Sequence, residues 1–309
     1  MAHVVRNGFV ESVHHARVVV TAPDGAVAGG WGDVDDPMFP RSSVKPLQAI
    51  GMLRAGLDLN DELLALAAAS HSGEPFHLDG VRRILGGCGL SESDLDCTAD
   101  YPVDDEARID WIRAGRDQQP VAMNCSGKHS AMLRTAVRNG WETSGYRDPS
   151  HPVQQAIRTA IEELAGEPTS HPAVDGCGAP LLAISLAGLA RAFGRIAAAT
   201  DGYEARLADA YRHFPEYASG TRRDEVELHR AVAGVITKAG AEGVQAVGLP
   251  DGRGIALKIS DGYPRARAAL MAAVLQHLGF TGEVLDRHAR PPVLGHGEPV
   301  GEIRVLPLA

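Results

Sequence analysis

Patterns typical of β-strands lie near the two ends of this chain, and their placement limits the fold more than any other feature. Residues 9–32 are rich in Val, alternate in places and contain the turn residues Pro23-Asp24-Gly25, which predicts a hairpin. Near the other end, Val244–Leu249 and Ile255–Ser260 flank Pro250-Asp-Gly-Arg-Gly and predict a second hairpin. A sheet that contains both hairpins must therefore draw its strands from both ends of the chain.

The middle of the chain, from about residue 43 to 236, has a mostly helical pattern. Its first helix is predicted over Ser43–Ala55, because Leu47, Ile50 and Leu53 fall on one face. Further helices are predicted from Asn60 onward and at Glu106–Ala114, Gly127–Arg138, Pro152–Ala165, Pro180–Phe193, Asp201–His213, Arg222–Ile236 and Ala266–Leu278.

Together these patterns predict an α/β chain of the α+β type, in a single domain over residues 1–309. An antiparallel sheet would use residues of about 1–40 and 244–306, with a last strand at Glu302–Leu306. Helices would flank the sheet, and the helical part of about 43–236 would be inserted between its strands. A chain of 309 residues is long enough to bury a large core.

Charge and hydropathy exclude several classes of function. The net charge is −9, the pI is near 5.8 and no run of Lys and Arg occurs, so nucleic acid is not an expected partner. The first residues contain no apolar signal segment, and the longest uncharged stretch, Gly176–Ala190, has only 15 residues. We therefore expect no membrane span, a cytoplasmic location and four free cysteines.

A serine and a lysine three residues apart, Ser42 and Lys45, are the first candidates for chemistry. On a helix this spacing places both side chains on one face, where a neutral lysine amine can take the hydroxyl proton and make the serine a nucleophile. The same S-x-x-K arrangement occurs in β-lactamases and penicillin-binding enzymes. It also arises by chance, in which case Ser42 is a loop serine beside a surface lysine.

Two further segments contain candidate residues. Ser70-His71-Ser72-Gly73-Glu74 ends an Ala/Leu-rich helix, so it is either a helix cap or a set of polar groups that line a pocket. Lys258 lies within the apolar strand Ile255–Ser260, on the face opposite Leu257 and Ile259. This lysine either faces solvent, which is the commoner case, or points into a cleft between sheet and helices.

Cysteines occur in two glycine-containing segments, Asn124-Cys125-Ser126-Gly127-Lys128-His129 and Asp175-Gly176-Cys177-Gly178. The first segment begins a predicted helix and could bind an anion at the helix N-terminus, or a metal through its thiol, amine and imidazole. The two cysteines are 52 residues apart and form no C-x-x-C motif. Separated cysteines are more often buried apolar residues than metal ligands.

Five strings in this chain together resemble the serine-dependent L-asparaginase family of the rhizobial inducible type. They are R-S-S-V-K-P-L-Q, A-S-H-S-G-E, N-C-S-G-K-H, D-G-C-G-A-P and A-L-K-I-S-D-G, which lie in this order over residues 41–262. The resemblance extends over essentially the whole chain. It implies the fold of serine β-lactamases and glutaminases, the hydrolysis of L-asparagine to L-aspartate and ammonia, and a homodimer.

The resemblance also implies two Ser–Lys pairs, Ser42 with Lys45 and Ser70 with Lys258. In the mechanism that follows, Ser42 attacks the side-chain amide carbon while Lys45 takes its proton, and Ser70 and Lys258 carry protons to the leaving ammonia. A lysine acts as a base only when it is neutral. We therefore expect burial and neighbouring positive charge to lower lysine pKa values in this cleft from about 10.4.

The remaining implied residues bind metal and substrate. A zinc ion beside the pocket, which would modulate activity rather than attack the substrate, is implied at Cys125, Lys128 and Cys177. The expected substrate-binding residues are Arg41, for the carboxylate or for pocket structure, Asp175 for the α-amino group, and His71 and Gly176 in the pocket wall.

Several alternatives compete with an asparaginase. The chain contains neither Ser-Asp-Asn nor Lys-Thr-Gly, which disfavours a β-lactamase. A glutaminase remains open, because discrimination by one methylene is worth only about 1–3 kcal/mol. A non-catalytic zinc or amino-acid sensor on the same scaffold and an enzyme with a cysteine nucleophile are further alternatives.

Overall fold

The structure, a computed structural model, describes residues 1–307. Most strands lie near the two ends of the chain, as the sequence predicts. In chain order they are β1 (Ala2–Arg6), β2 (Phe9–His14), β3 (Ala16–Thr21), β4 (Val27–Trp31), β5 (Pro37–Met38), β6 (Ser170–Val174), β7 (Pro180–Ser185), β8 (Ile236–Gly240), β9 (Val244–Gly248), β10 (Gly254–Ile259), β11 (Pro292–Gly295) and β12 (Glu298–Val305).

Five of these strands form the central antiparallel sheet, in the order β4–β3–β10–β9–β8. Its middle strand joins the two ends of the chain, because β10 pairs with β3 on one side and with β9 on the other. Ile255 lies opposite Val20 in the first pair and opposite Val247 in the second. The two predicted hairpins correspond to β3–β4 and β9–β10. The expected antiparallel sheet built from both ends is therefore confirmed.

Two smaller antiparallel sheets accompany the central one, where the sequence predicts a single sheet. Their strand orders are β11–β12–β1–β2 and β5–β7–β6. Strands β1 and β2 are joined at Asn7 and Gly8, whose φ values of 45° and 82° fit a two-residue hairpin turn. Consecutive strands enter different sheets here, since the chain leaves one sheet after β2 and begins the next with β3.

Helices fill the middle of the chain. In chain order they are α1 (Lys45–Arg54), α2 (Asp61–Ala67), α3 (Pro75–Gly86), α4 (Asp105–Arg113), α5 (Ser126–Arg138), α6 (Pro152–Ala165), α7 (Leu186–Ala198), α8 (Gly202–His213), α9 (Pro215–Ala218), α10 (Asp224–Ala231), α11 (Arg267–His277) and α12 (Glu283–Ala289). No helix within residues 1–307 has the length and apolar character that a membrane span requires.

Two predicted helices are shorter in the structure because strands replace part of them. The pattern predicts a helix over Pro180–Phe193, but its first six residues form β7 and α7 begins at Leu186. Ser185 caps α7, since its Oγ accepts a hydrogen bond of 2.8 Å from Gly188 N. Similarly, the helix predicted over Arg222–Ile236 divides into α10 and the start of β8. Periodicity alone does not distinguish short buried strands from buried helices.

The central sheet separates two apolar cores. Alternate residues of its strands face opposite sides, so that Val19 and Ala256 belong to the core beneath α7, whereas Val18 and Leu257 belong to the core beneath α11. Helices α1, α2, α3, α5, α6 and α8 enlarge the first core. This arrangement places the start of α1 beside the edge strand β8, where the candidate site lies.

Candidate active site

Ser42 stands on a 3-10 turn, Arg41–Val44, that leads directly into α1 at Lys45. The end of β8 supports this turn. A Cβ atom added at Gly240 would lie 2.8 Å from Pro40 O and 3.3 Å from Ser42 N, so only a glycine allows the two backbones to approach this closely. The strand therefore fixes the backbone that carries Ser42.

Lys45 is almost fully buried, with 1% of its surface exposed. Its Nζ lies 2.7 Å from Ala69 O, 2.9 Å from Ser70 Oγ and 3.0 Å from Cys125 Sγ. Lys45 thus contacts the hydroxyl of Ser70, from the second predicted pair, rather than that of Ser42. Ser42 and Ser70 nevertheless line the same cavity.

The structure does not bring Ser70 and Lys258 together, which corrects the predicted second pair. Lys258 lies near the end of β10, and its Nζ donates to the carbonyl oxygens of Glu242, at 2.5 Å, and Ile259, at 2.9 Å. Partial burial lowers the pKa of Lys258, and the nearby Glu242 opposes this effect. This lysine is half-buried among backbone carbonyls and is not part of the cavity wall.

A different lysine, Lys238 of β8, lies beside the site. It is completely buried, and its Nζ donates to Glu225 Oε1 at 2.9 Å and to Ala239 O at 2.8 Å. Burial lowers the pKa of Lys238 to about 8; Glu225 opposes the shift and the positive charge of Lys45 adds to it. The sequence analysis missed Lys238, although a lysine within an apolar strand is the same pattern that singled out Lys258.

Glu225 connects Lys238 to the cavity. Its carboxylate is buried and accepts hydrogen bonds from Lys238 Nζ, from Ala239 N at 2.9 Å and from Arg223 Nη2 at 3.3 Å. Burial alone would raise the pKa of Glu225, but Lys238 and Arg223 lower it further than burial raises it, so the group is a carboxylate. Glu225 lies within a predicted helix, and its charge gave no sign in the sequence that it would be buried.

The cavity has a volume of about 600 Å³, and its lining has a neutral polar part and a charged part. Ser42, Ser70 and Asn124 supply hydroxyl and amide groups, and the end of β8 supplies backbone at 239–242. Charged side chains form the remaining wall, and the sequence analysis assigned none of them: Arg222, Arg223, Asp224, Glu242 and Arg267. A cavity of this size with few convergent polar groups is typical of small-molecule sites.

The predicted metal ligands Cys125, Lys128 and Cys177 do lie together, and we call them the thiol cluster. Lys128 Nζ lies 3.3 Å from Cys177 Sγ. The neighbouring Cys125 thiol and the charge of Lys128 hold the pKa of Cys177 well below its usual range. The Cys125 thiol itself donates to Asn124 Oδ1 at 3.1 Å. The same pairing, together with burial, raises the pKa of Cys125. Cys125 also contacts Lys45, which joins the thiol cluster to the candidate site.

The thiol cluster depends on its lysine as a possible metal site. Within residues 1–307, no three side chains of His, Cys, Asp or Glu are grouped so that they could hold a metal ion. Asp175 Oδ2 lies 4.0 Å from Cys177 Sγ. Two sulfurs and an amine nitrogen are nonetheless donors of the kind that Zn²⁺ prefers.

Arg41 and Asp175, two predicted substrate-binding residues, bind each other. Arg41 Nε donates to Asp175 Oδ1 at 2.8 Å, and Arg41 also lies 3.7 Å from Glu242. Arg41 has a φ of 51°, in the left-handed region that few residues other than glycine adopt. The carbonyl of Gly176 accepts a hydrogen bond from Thr98 Oγ1. The Arg41–Asp175 ion pair therefore connects the Ser42 turn to the loop that carries Cys177.

His71, the remaining predicted substrate-binding residue, is fully buried and outside the cavity wall. Its Nδ1 accepts from Gly73 N at 3.2 Å, so Nε2 carries the proton and donates to Ser126 Oγ at 2.8 Å. Burial, together with His77 and Lys45, lowers the pKa of His71 well below its usual value. A neutral imidazole in this position holds the segment after α2 against the start of α5.

Comparison with known proteins identifies relatives at the level of family. A family model described as L-asparaginase II matches residues 2–305, which is essentially the whole chain. No curated protein matches significantly. The solved structures that match part of this chain include a β-lactamase from Mycobacterium bovis, at 16% identity over 85% of this chain and 94% of the other, with a TM-score of 0.48.

Two further solved structures are less similar. One is Mglu, crystallised in its tris and glutamate form, at 14% identity over 91% of this chain and 63% of its own, with a TM-score of 0.40. The other is EstCE1, a hydrolase with promiscuous acyltransferase activity, at 11% identity over 79% of this chain and 88% of its own, with a TM-score of 0.39.

Proposed function

Because the chain belongs to the L-asparaginase II family, we propose that it hydrolyses the side-chain amide of L-asparagine to L-aspartate and ammonia. One contact carries the proposal: a buried lysine amine, Lys45 Nζ, lies 2.9 Å from the hydroxyl of Ser70, in a cavity that Ser42 also lines. A hydroxyl–amine pair beside a second hydroxyl is an arrangement that supports acyl transfer through a serine ester.

In the proposed first half of the reaction, Ser42 Oγ attacks the side-chain amide carbon. Its proton passes through Ser70 Oγ to Lys45 Nζ, which must be neutral to accept it. The amide oxygen becomes an oxyanion, and backbone N–H groups of the Ser42 turn and of the β8 end are the donors that could stabilise it.

In the second half, the tetrahedral intermediate expels ammonia. Lys45 returns its proton through Ser70 to the leaving nitrogen, and the enzyme keeps an aspartyl ester on Ser42. Water then attacks the ester, Ser70 and Lys45 accept the water proton, and L-aspartate leaves while Ser42 regains its hydrogen. Lys238 replaces Lys258 as the second lysine of the proposal, since it is buried near Lys45.

We further infer that the thiol cluster binds Zn²⁺ through Cys125, Lys128 and Cys177. Burial lowers the pKa of Lys128, but the Cys177 thiolate raises it more strongly, so metal binding would release a proton from this amine. A bound Zn²⁺ would supply positive charge close to Lys45. A homodimer stays a prediction from the resemblance, and a cytoplasmic location stays a prediction from the amino-acid sequence.

The decisive experiment measures ammonia release from L-asparagine and L-glutamine by the wild-type protein and by Ser42→Ala and Ser70→Ala. We expect release from asparagine and a loss of at least about 10³-fold for Ser42→Ala. Peptide mapping after an acid quench should locate the aspartyl ester on Ser42. An ester on Ser70 would exchange the roles of the two serines, and no release from either amide by the wild type would refute the proposed function.

A further inference from the structure

The charged wall of the cavity contains one arginine, Arg223, that is held only by long contacts. Arg222 bonds to Asp104 through Nε and Nη2, and Arg267 donates to Gln245 and Asp224 through Nη1 and Nη2. Arg223, in contrast, makes only long contacts of 3.3–3.4 Å to Glu225 through Nε and Nη2. Its Nη1 has no partner within residues 1–307, and its side chain is 32% exposed. This guanidinium can therefore accept an anion from the cavity.

The next residue, Asp224, presents the complementary charge. Its Oδ2 accepts a hydrogen bond of 2.7 Å from Arg267 Nη2, and Arg267 is itself held by Gln245 at 2.7 Å. The other oxygen, Oδ1, has no partner within the described residues, and the Asp224 side chain is 23% exposed. The carboxylate is thus fixed in direction and has one oxygen available for a cation.

These two neighbours match the substituents of an amino acid. The α-carboxylate and α-ammonium groups share one carbon atom, so their receptors must lie close together. Arg223 and Asp224 line the same cavity, and their opposite charges interact. The side chain of the same molecule must reach Ser42 and Ser70, which line the same cavity. Arg41 and Asp175 are less suitable receptors, because neither residue lines this cavity.

We propose that Arg223 binds the α-carboxylate of the substrate and Asp224 binds its α-ammonium group, so that this pair restricts the enzyme to free α-amino acids. The inference rests on the proposed function and names the substrate class that the same cavity accepts. Glu225 and Arg267 act as positioning residues, since they hold Arg223 and Asp224 from behind.

Substrates that lack one group test the assignment. 3-Aminopropanamide is L-asparagine without the α-carboxylate, and succinamate is L-asparagine without the α-amino group. For the wild type, we expect kcat/KM to be at least about 10- to 100-fold lower for each, the range expected for one hydrogen bond to a charged group. Arg223→Gln should lower kcat/KM for asparagine by a similar factor, mainly through KM, and leave 3-aminopropanamide within about threefold.

Asp224 can be tested with the same two truncated substrates. Asp224→Asn should lower kcat/KM for asparagine and leave succinamate unchanged, whereas Arg223→Gln should still impair succinamate. Calorimetry with L-aspartate gives a readout without turnover, and both variants should bind it at least about tenfold more weakly. Arg113→Gln is the control, because that side chain is 77% exposed on α4, and all kinetic values should match the wild type.

Three results would overturn the inference. The wild type could hydrolyse both truncated amides as well as asparagine, the two variants could leave the kinetics of asparagine unchanged, or the selective losses could appear in Arg41→Gln and Asp175→Asn instead. If Arg223→Gln fails to fold, Arg223→Lys keeps the charge beside Glu225 and should show the same substrate selectivity in smaller measure. Failure of the wild type to hydrolyse asparagine would refute the proposed function itself, which separates the two outcomes.

Discussion

At the scale of single residues, two lysines in neighbouring parts of the central sheet have opposite surroundings. Lys238 is buried with Glu225 and near Lys45, and the repulsion between two cations, added to burial, lowers its pKa to about 8. Lys258 donates to the backbone carbonyls of Glu242 and Ile259, and its own side chain does not line the cavity. A charge affects a reacting group only when it is close and poorly solvated, so only Lys238 is placed to influence the chemistry.

We therefore expect Lys238→Met to lower kcat/KM for asparagine by about 10²-fold, a range typical of proton-transfer groups. The substitution removes a buried amine beside the site whose pKa, lowered by burial to about 8, lets it exchange protons near neutral pH. Lys258→Met, the matched control, should stay within about threefold of the wild type. Because Lys238→Met leaves Glu225 unpaired, the double variant with Glu225→Gln should be measured too. Equal losses in the Lys238 and Lys258 variants would contradict this assignment.

At the scale of secondary-structure elements, the end of β8 approaches the Ser42 turn closely at one residue, Gly240. Gly240→Ala should lower kcat by about 10²-fold, since a displacement of about 1 Å at a reacting group has an effect of this size. Gly86→Ala is the control: nothing lies within 4 Å of its added Cβ, and a gain of about 0.4–1 kcal/mol in stability is expected. Turnover and urea unfolding of both variants test this, and an active Gly240→Ala would contradict it.

A second prediction concerns the elements that carry the thiol cluster, the start of α5 and the loop before β7. Cys177→Ser should remove most bound zinc, measured by elemental analysis, and the rise in Tm on adding Zn²⁺ should disappear. Cys88→Ser should keep both properties, because Cys88 lies at the end of α3 and bonds only to Ile84 O and Leu85 O. Zinc content that is the same in both variants would place the metal elsewhere.

Local sequence patterns predicted the helices and strands better than they predicted the contacts between them. The β9–β10 hairpin follows from apolar alternation around a Pro-Asp-Gly turn, and α6 begins and ends where its pattern predicts. Lys45 meets Ser70, however, through a contact across 25 residues, and no periodicity within either segment encodes such a contact. The five motifs contain Ser42, Ser70 and Asn124 of the cavity lining. Arg223 and Asp224, in contrast, belong to a charged run that resembles any solvated helix start.

At the scale of the whole molecule, both ends of the chain are needed to complete its sheets. β3 lies beside β10 in the central sheet, and β1 lies between β2 and β12 in the outer one, with Val4 opposite Ile303. The buried pair of Glu225 and Lys238 lies where β8, the edge strand of the central sheet, meets α10. Charges at such a position couple the ionisation of the site to the unfolding of the entire fold.

This coupling gives a pH dependence with a definite sign. Lys238 and Arg223 hold the folded pKa of Glu225 below its unfolded value of about 4.3, so its contribution to stability is complete above that pH and is lost as the pH falls further. At pH 7, Glu225→Gln should lower the free energy of unfolding by about 3–5 kcal/mol, because it leaves Lys238 buried without its partner. The deficit should shrink below pH 4.3, where the wild type also loses the carboxylate.

Urea unfolding at pH 7 and at pH 3.5 measures the free energy of unfolding of the wild type and of Glu225→Gln. Glu298→Gln is the control, because Glu298 is exposed on β12. This substitution should change the free energy of unfolding by no more than about 0.5 kcal/mol at either pH. The double variant Glu225→Gln with Lys238→Met should recover part of the loss at pH 7, since replacing both members of a buried ion pair costs less than removing one. A deficit that stays constant between the two pH values would show that Glu225 supports the fold through packing rather than charge.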